Sequence, residues 1–397
     1  LFPDREMRIG PFIARKKMAE IAIPVLKSIG LDVDLNQIVG ELALSDQQLI
    51  ELARVLIEKP KLLILDEPTS ALNARESERL LDLVKLLPQQ GTTVLYVSHR
   101  LDEVFAVSQH ITVLRNGSLV FSKPTSELDI PTVIAGIVGE KSVESIAKKT
   151  GSVDSNSKAE KVLEVKNLSN GRQVVDVSLN VAPGEIVGVA GLIGSGADEL
   201  LETLFGARQK ISGSVKFKGV KMQTLSPQNS VRDGVALIPA DRKRVGLMMD
   251  RTVSDNLSHV SAGGYKRGTF FVSKSGIAIT AERLVKKFAI KTENVQVRVG
   301  NLSGGNQQKV VIGKWLEIAP GLVLLDDPTR GVDIGAKVEL FRLVREIAAE
   351  GKGILFRSTE ISELTSLCDR IVVVKDGVST REVSGVDDAE LIKLINE

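Results

Sequence analysis

The sequence predicts an α/β protein built from two copies of one parallel-sheet domain, and three observations carry that expectation. First, an acidic block occurs twice without insertion or deletion, as LLILDEPTSAL around Asp66-Glu67 and as LVLLDDPTRGV around Asp326-Asp327. Asp66 and Asp326 stand 260 residues apart, and the same shift carries Leu42 onto Leu302, Gln47-Gln48 onto Gln307-Gln308, Pro68-Thr69 onto Pro328-Thr329 and Asn116-Gly117 onto Asp376-Gly377. Second, four apolar residues ending in an acid are the pattern of a buried parallel strand whose C-terminal tip presents a carboxylate, where open α/β sheets bind ligands. Third, EIVGVAGLIGSGADELLETLF runs from an apolar strand through a glycine-rich turn into a helix expected over 198–205, the context that a phosphate-binding loop requires.

The totals agree with two domains. A length of 397 residues suits two units of about 100–200 residues each. With 43% hydrophobic and 26% charged residues the chain has the composition of a soluble globular protein, and no run reaches the roughly 18 apolar residues of a membrane span. A net charge of +2 gives no electrostatic case for nucleic acid. Cys368 is the single cysteine, which excludes an intramolecular disulfide and a cysteine-based metal cluster and fits a reducing cytosol. Residues 1–20 lack a secretory signal. The chain begins at Leu1 rather than Met, which reads as a fragment.

In chain order, residues 1–140 are expected to form the first copy and 141–160, polar and poor in bulky apolar residues, a linker. Residues 161–397 form the second copy. It opens with short alternating strands (VLEVKNLS, VVDVSLNV) punctuated by Pro183-Gly184. Between its glycine turn and second acidic block lies an insertion with a helical pattern from about Ala281 to Phe288, which suggests a helical subdomain. Trp315 falls in a helical pattern and is expected in core or interface packing. Arg242-Lys243-Arg244 reads as solvated surface, or as a contact for a partner protein or a nucleotide. His110 and His259 have no partner visible in sequence.

The chemistry concentrates in four places. The glycine turn Gly191-Leu192-Ile193-Gly194-Ser195-Gly196-Ala197-Asp198 keeps the glycines of G-x-x-x-x-G-K-[ST], but Ala197 stands where Lys should contact phosphate and Asp198 where a hydroxyl should reach magnesium. Amides at the helix start still suit an anion; the alternative is a tight turn without a ligand. Ser303-Gly304-Gly305-Asn306 ahead of a helix makes an N-terminal anion site from hydroxyl, amides and dipole. The matching first-copy residues, Ala43-Leu44-Ser45-Asp46, have lost the Ser and both glycines from their places and gained an acid; Ser45-Asp46 can serve there as a helix cap. At the strand tips, Asp66 would organise Mg2+ through water and the longer Glu67 would polarise an attacking water. Asp327 is shorter by a methylene. His99 can bridge a phosphate and the catalytic carboxylate, whereas Thr359, 260 residues on, lacks the reach and the charge.

The signature NLSGGNQQK at 301–309 resembles the LSGGQ of ABC ATPases, with Asn306 for the usual Gln, and the match extends over essentially the whole chain. GLIGSGADEL, LIPADRKRVGL, NLSGGNQQKVVIGKWL and LLDDPTRGVDIGAK look most like the tandem ATPases of bacterial ribose, xylose and galactose importers. The resemblance implies two P-loop NTPase cassettes, each a RecA-like mixed sheet with a helical subdomain and an antiparallel β subdomain, the first copy incomplete. It also implies ATP and Mg2+ as cofactors, a membrane permease and a periplasmic binding protein as partners, and a place on the cytoplasmic face of the membrane. Such cassettes pair head to tail. One composite site would then use Gly191, Gly194, Ser195 and Gly196, together with Ala240 where the family has Gln, Asp326, Asp327, Thr359 and the altered first signature. The other would use Asp66, Glu67, His99 and the intact signature Ser303 to Asn306. Decay is confined to one site.

The phosphate loop of the first copy would fall upstream of Leu1, so the expectation is an N-terminally truncated or wrongly delimited gene product that cannot hydrolyse ATP at a normal rate; a genuine start near Leu1 would favour a pseudo-ATPase. Two other functions stay open: a soluble tandem cassette acting on ribosomes, against which the short linker and one-sided decay argue, and a degenerate nucleotide-dependent binding module.

Overall fold

The computed structural model describes residues 8–9, 12–69, 72, 74–98, 100–115, 117–139, 161–192, 194–261, 266–267, 271–272 and 274–397. The chain divides into two compact units, Leu1–Gly139 and Glu140–Glu397. The expected linker at 141–160 lies outside the described residues, as do His99 and Asn116.

In the second unit a six-stranded sheet has the order Val235–Ile238, Leu322–Asp326, Gly353–Arg357, Ile186–Ala190, Arg370–Lys375, Val378–Val383. The first five strands run parallel and the last antiparallel. Parallel strands are covered on both faces, and this explains why these segments read as continuous apolar runs. Ile186, Val323, Leu325, Ile354 and Phe356 pack on one face with Val310 and Leu340 of the helices Gly304–Leu316 and Ile334–Ala349. Val187, Val189, Leu322, Leu324 and Leu355 pack on the other with Leu200, Leu201 and Leu204 of helix Ala197–Phe205. Leu200 and Leu201 are fully buried. Each such side chain contributes about 1.5–3 kcal/mol, so hydrophobic packing holds this helix whether or not its N-terminus meets a phosphate.

A four-stranded antiparallel sheet, ordered Val220–Lys221, Ser212–Phe217, Leu163–Ser169, Val177–Val181, joins the second of these cores through Val165 and Val215. The inserted segment contributes helix Val253–Ser258, started by a Thr252/Asp255 capping box, and helix Lys274–Lys287, which begins seven residues before the expected Ala281. Trp315 packs against both cores and meets Phe205 edge-on at 5.6 Å.

The first unit repeats the same order: helix Leu44–Ile57, strand Leu62–Asp66, helix Ala74–Leu86, strand Thr93–Val97, helix Leu101–Val107, hairpin His110–Arg115 with Ser118–Pro124, helix Ile130–Val138. In the second unit Ile186–Ala190 lies between Gly353–Arg357 and Arg370–Lys375 and joins them. Among the described residues of the first unit no strand takes that place, and the sheet is split into a parallel pair and a hairpin. The apolar residues that would face a second layer are left open. Leu62 is 55% exposed and Ile64 60%, against 1% and 0% for their counterparts Leu322 and Leu324.

Candidate functional site

Both acidic strand tips are built alike. Glu67 and Asp327 adopt left-handed backbone conformations, with φ of 46° and 44°. Each donates its backbone N–H to the neighbouring strand, Glu67 to the Val97 carbonyl and Asp327 to the Arg357 carbonyl, both at 2.8 Å. A non-glycine residue in this region costs about 1–3 kcal/mol, a strain characteristic of functional sites. Here it turns the second acid out of the strand beside the first.

The surroundings of the two tips then diverge. Asp66 and Glu67 are exposed, whereas Asp326 and Asp327 are buried. One cause is the strand Ile186–Ala190 and the glycine turn after it, which have no counterpart among the described residues of the first unit. The other is Arg357, which stands where the first copy has Val97. Its guanidinium is 8% exposed and pairs with Asp198, with Asp326 at 3.1 Å and with Asp327 at 3.9 Å. Thr359 completes the enclosure by donating its hydroxyl to Asp327 at 3.1 Å. A short Asp opposite a short Thr thus makes a direct hydrogen bond, which leaves open the expectation that Thr359 cannot reach from this carboxylate to a phosphate.

The glycine turn of the second unit folds as a loop entering helix Ala197–Phe205. Gly196 caps it at φ 93°, and a Cβ there would collide with the Gln173 carbonyl, so only glycine fits. Gly194 also has positive φ, Gly191 packs against Ser195, and the buried Ser195 carbonyl accepts from Gly377 N at 2.8 Å. Ala197 is 1% exposed and belongs to the core, so it offers no charge to a phosphate. Ile193 lies outside the described residues.

The serine-glycine turn opens helix Gly304–Leu316 with Ser303 at its N-cap. Ser303 makes no side-chain bond to that helix's backbone; its Oγ accepts from Asn306 Nδ2 at 2.9 Å, and Asn306 Oδ1 accepts from Lys291 N at 2.8 Å. Asn306 thus ties the serine hydroxyl to the inserted segment. A Cβ on Gly304 would lie 2.8 Å from Arg242 Nη2 and 3.0 Å from the Gly331 carbonyl, and one on Gly305 would lie 2.5 Å from Ala336 Cβ. Both glycines are demanded by packing within this unit. In the first unit helix Leu44–Ile57 starts after Ala43 without a side-chain cap, so Ser45 and Asp46 sit inside its first turn instead of capping it. The helix starts where its counterpart does, Leu44 matching Gly304 under the 260-residue shift, and it is the serine that has moved, from the N-cap to the second helical position.

A family model described as ABC transporter matches residues 3–70 and 174–330. The chain belongs to the ABC transporter family. Among its ABC relatives, the galactose/methyl galactoside import ATP-binding protein of Clostridium perfringens (strain SM101) is 35% identical over 390 residues, covering 98% of this chain and 74% of that protein. The ribose import ATP-binding protein RbsA 3 of Rubrobacter xylanophilus is 37% identical over 390 residues, covering 98% and 76%. A crystal structure of an ATP-binding cassette of an ABC transporter in its ADP conformation is 19% identical with a TM-score of 0.50, over 60% of this chain and 95% of that one, and is similar in fold alone. The chain is an ABC-type ATPase with two cassettes.

Besides Arg357, three groups in these cassettes were missed or misjudged from sequence. Glu103 is 2% exposed and accepts from Thr69 Oγ1 at 2.7 Å and Tyr96 Oη at 2.8 Å, while pairing with Arg100 at 2.7 Å. Burial, then the hydrogen bond to Glu103, pushes the Tyr96 phenol well above its ordinary value. Glu363, 260 residues on, accepts from Thr329 Oγ1 at 2.7 Å and Ser358 Oγ at 2.6 Å, and pairs with Lys337 at 2.9 Å. Each glutamate fastens the loop after the acids to the loop after the next strand. The duplication itself marks the pair. Arg242 is the third: it is buried rather than solvated, donating to the carbonyls of Arg330 and, at 2.8 Å, Gly331. Lys314 donates to the Gly246 carbonyl, and its burial lowers its pKa to about 8.

Burial lifts Asp326 from 3.8 to about 6, against the opposing pull of Arg357. The folded state therefore holds a proton that the unfolded chain releases near pH 3.8, a stabilising contribution present below that pH and lost as pH rises through about 6. Chemical denaturation of wild type and Asp326→Asn across pH 3.5–7 is expected to show this falling contribution in the wild type alone. Parallel pH curves would contradict it.

Proposed function

We propose that this chain is the ATP-binding subunit of an importer for a monosaccharide or related small polar solute. It would act at the inner face of a membrane with integral permease subunits and, through them, an external solute-binding protein. Kinship over 98% of the chain with proteins named for galactose and ribose import supports the solute class. Among the described residues no helix is long and apolar enough to cross a membrane, consistent with a permease formed by other polypeptides.

The single observation that supports the assignment of roles is the difference in kind at one position of the two strand tips: Arg357 pairs with Asp198 and Asp326 in the second, where the first has Val97. The exposed carboxylates of Asp66 and Glu67 are hard oxygen donors of the kind Mg2+ prefers, and Val97 brings no cation to displace it. In this reading Asp66 holds the metal of a bound ATP. When bound, Mg2+ neutralises charge on the phosphates. Glu67 orients the attacking water and takes its proton on the carboxylate, and His99 hydrogen-bonds the terminal phosphate. Ser303, Gly304, Gly305 and Asn306 supply hydroxyl and amide donors to phosphate, as the family resemblance implies. Gly191, Gly194, Ser195, Gly196 and Asp326 form the degenerate counterpart.

The test is affinity capture of the tagged chain from detergent-solubilised host membranes. An integral-membrane permease should co-purify, and ATP turnover of that complex should rise when a binding protein loaded with ribose or galactose is added. Recovery with ribosomes and no membrane partner would overturn the proposal in favour of a soluble tandem cassette.

A further inference from the structure

We propose that Arg357 takes the place of both the metal ion and the phosphate-loop lysine in the second cassette, so that its loop is held by an internal cation and admits no magnesium-bound nucleotide. The inference rests on the cassette fold and on no assumption about the transported solute.

A working phosphate site supplies positive charge from a lysine at the helix start and from magnesium between a loop hydroxyl and a strand-tip acid. In this cassette Ala197 is buried in the core in place of the first, and Asp198 replaces the hydroxyl. Three carboxylates, Asp198, Asp326 and Asp327, therefore converge where a triphosphate would need compensation. Left alone they would repel one another, Asp326 and Asp327 from buried positions and Asp198 from a half-buried one. Arg357 reaches all three from the end of its strand, with one terminal nitrogen on Asp198 and the other toward Asp326 and Asp327. An arginine keeps its charge throughout the pH range of a folded protein. The compensation is thus permanent where a metal's would be exchangeable.

The residues do not fit Mg2+ or phosphate as they stand. A divalent ion at Asp326 would compete with the guanidinium already there, and a triphosphate over the loop would face Asp198 with no lysine beside it. Thr359 holds Asp327 from the other side, so the acid aligned with Glu67 has its oxygens engaged within the unit. The first copy shows the contrast at the matching position, where Val97 brings no cation to the strand-tip acids.

The test uses the full chain and bare cations. Arg357→Val installs the residue of the first copy and leaves the acids in place. Thermal unfolding should show a lowered midpoint in metal-free buffer that millimolar Mg2+ restores, whereas the wild-type midpoint should not respond at this site. Paramagnetic titration with Mn2+ should count one more bound ion per chain in Arg357→Val than in wild type. Because both proteins carry Asp66, binding there cancels in the difference. Arg357→Lys, which keeps a cation, should bind as many ions as wild type. An unchanged Mn2+ count, or a lowered midpoint that Mg2+ does not restore, would overturn the proposal. If Arg357→Val does not fold, Arg357→Val/Asp198→Ser compared with Asp198→Ser decides by the same count: an additional ion supports the substitution and none overturns it.

Discussion

Glu67→Gln lowers ATP turnover by about 10²–10⁴-fold, the range that a positioned general base contributes, while Asp327→Asn leaves it essentially unchanged. The asymmetry follows from the two strand tips. Glu67 stands exposed after Asp66 and is turned outward by its left-handed backbone. Asp327 has the same backbone but is 4% exposed, with Thr359 on its oxygens and Arg357 beside it. A glutamine keeps the size and hydrogen-bonding of Glu67 and removes only its ability to accept a proton. Phosphate release measured on both variants checks the assignment, and equal losses in the two would contradict it.

Arg370→Met destabilises the second unit by about 3–5 kcal/mol, the usual cost of stranding one partner of a buried ion pair. Arg370 and Glu185 are 4% and 3% exposed, with Nε to Oε1 at 2.6 Å. Arg370 also donates to the Asn180 carbonyl and pairs with Glu382 at 2.9 Å. Next to it Asp369 accepts from Ile186 N at 2.8 Å, so this cluster fixes the start of the strand that leads into the glycine turn. Domains are stable by only about 5–15 kcal/mol in total. Replacing both partners, Arg370→Met/Glu185→Leu, should recover most of the loss because no charge is left buried alone. Urea midpoints measure both variants; a double mutant as weak as the single would contradict this account.

The fold was legible because its signals are collective. Four apolar residues before an acid are ambiguous once, but the same run 260 residues later, with Pro and Thr in register, defines two equivalent strands, and the structure places both acids at strand tips with matching positive φ. The start of helix Lys274–Lys287 was less legible: Ile277 and Ala278 continue the apolar spacing back from Ala281, but Ser275, Gly276 and Thr280 are weak helix formers among them. The electrostatics of the second tip were legible only in part. Ala197 and Asp198 announced a loop unsuited to phosphate, yet the group that settles their charge is a single Arg at the end of an apolar strand, 159 positions beyond Asp198. A sequence-local argument sees such a residue as a strand end meeting solvent. Comparing the copies position by position would have isolated it, because Val97 and Arg357 differ in kind where their neighbours are similar. The same comparison finds Glu103 and Glu363, whose partners Thr69 and Thr329 lie 34 residues before them in each copy. Arg242 was misjudged because the run Arg242-Lys243-Arg244 was taken as one surface patch, whereas its first residue turns inward onto the loop after Asp327.

The most direct test of unequal cassettes is an experimental structure of the chain with Mg2+ and a non-hydrolysable ATP analogue. The account predicts metal density at Asp66, with Arg357 still paired to Asp198 and Asp326. Nucleotide density in the Gly191–Asp198 loop, with Arg357 displaced and a metal on Asp326, would contradict it.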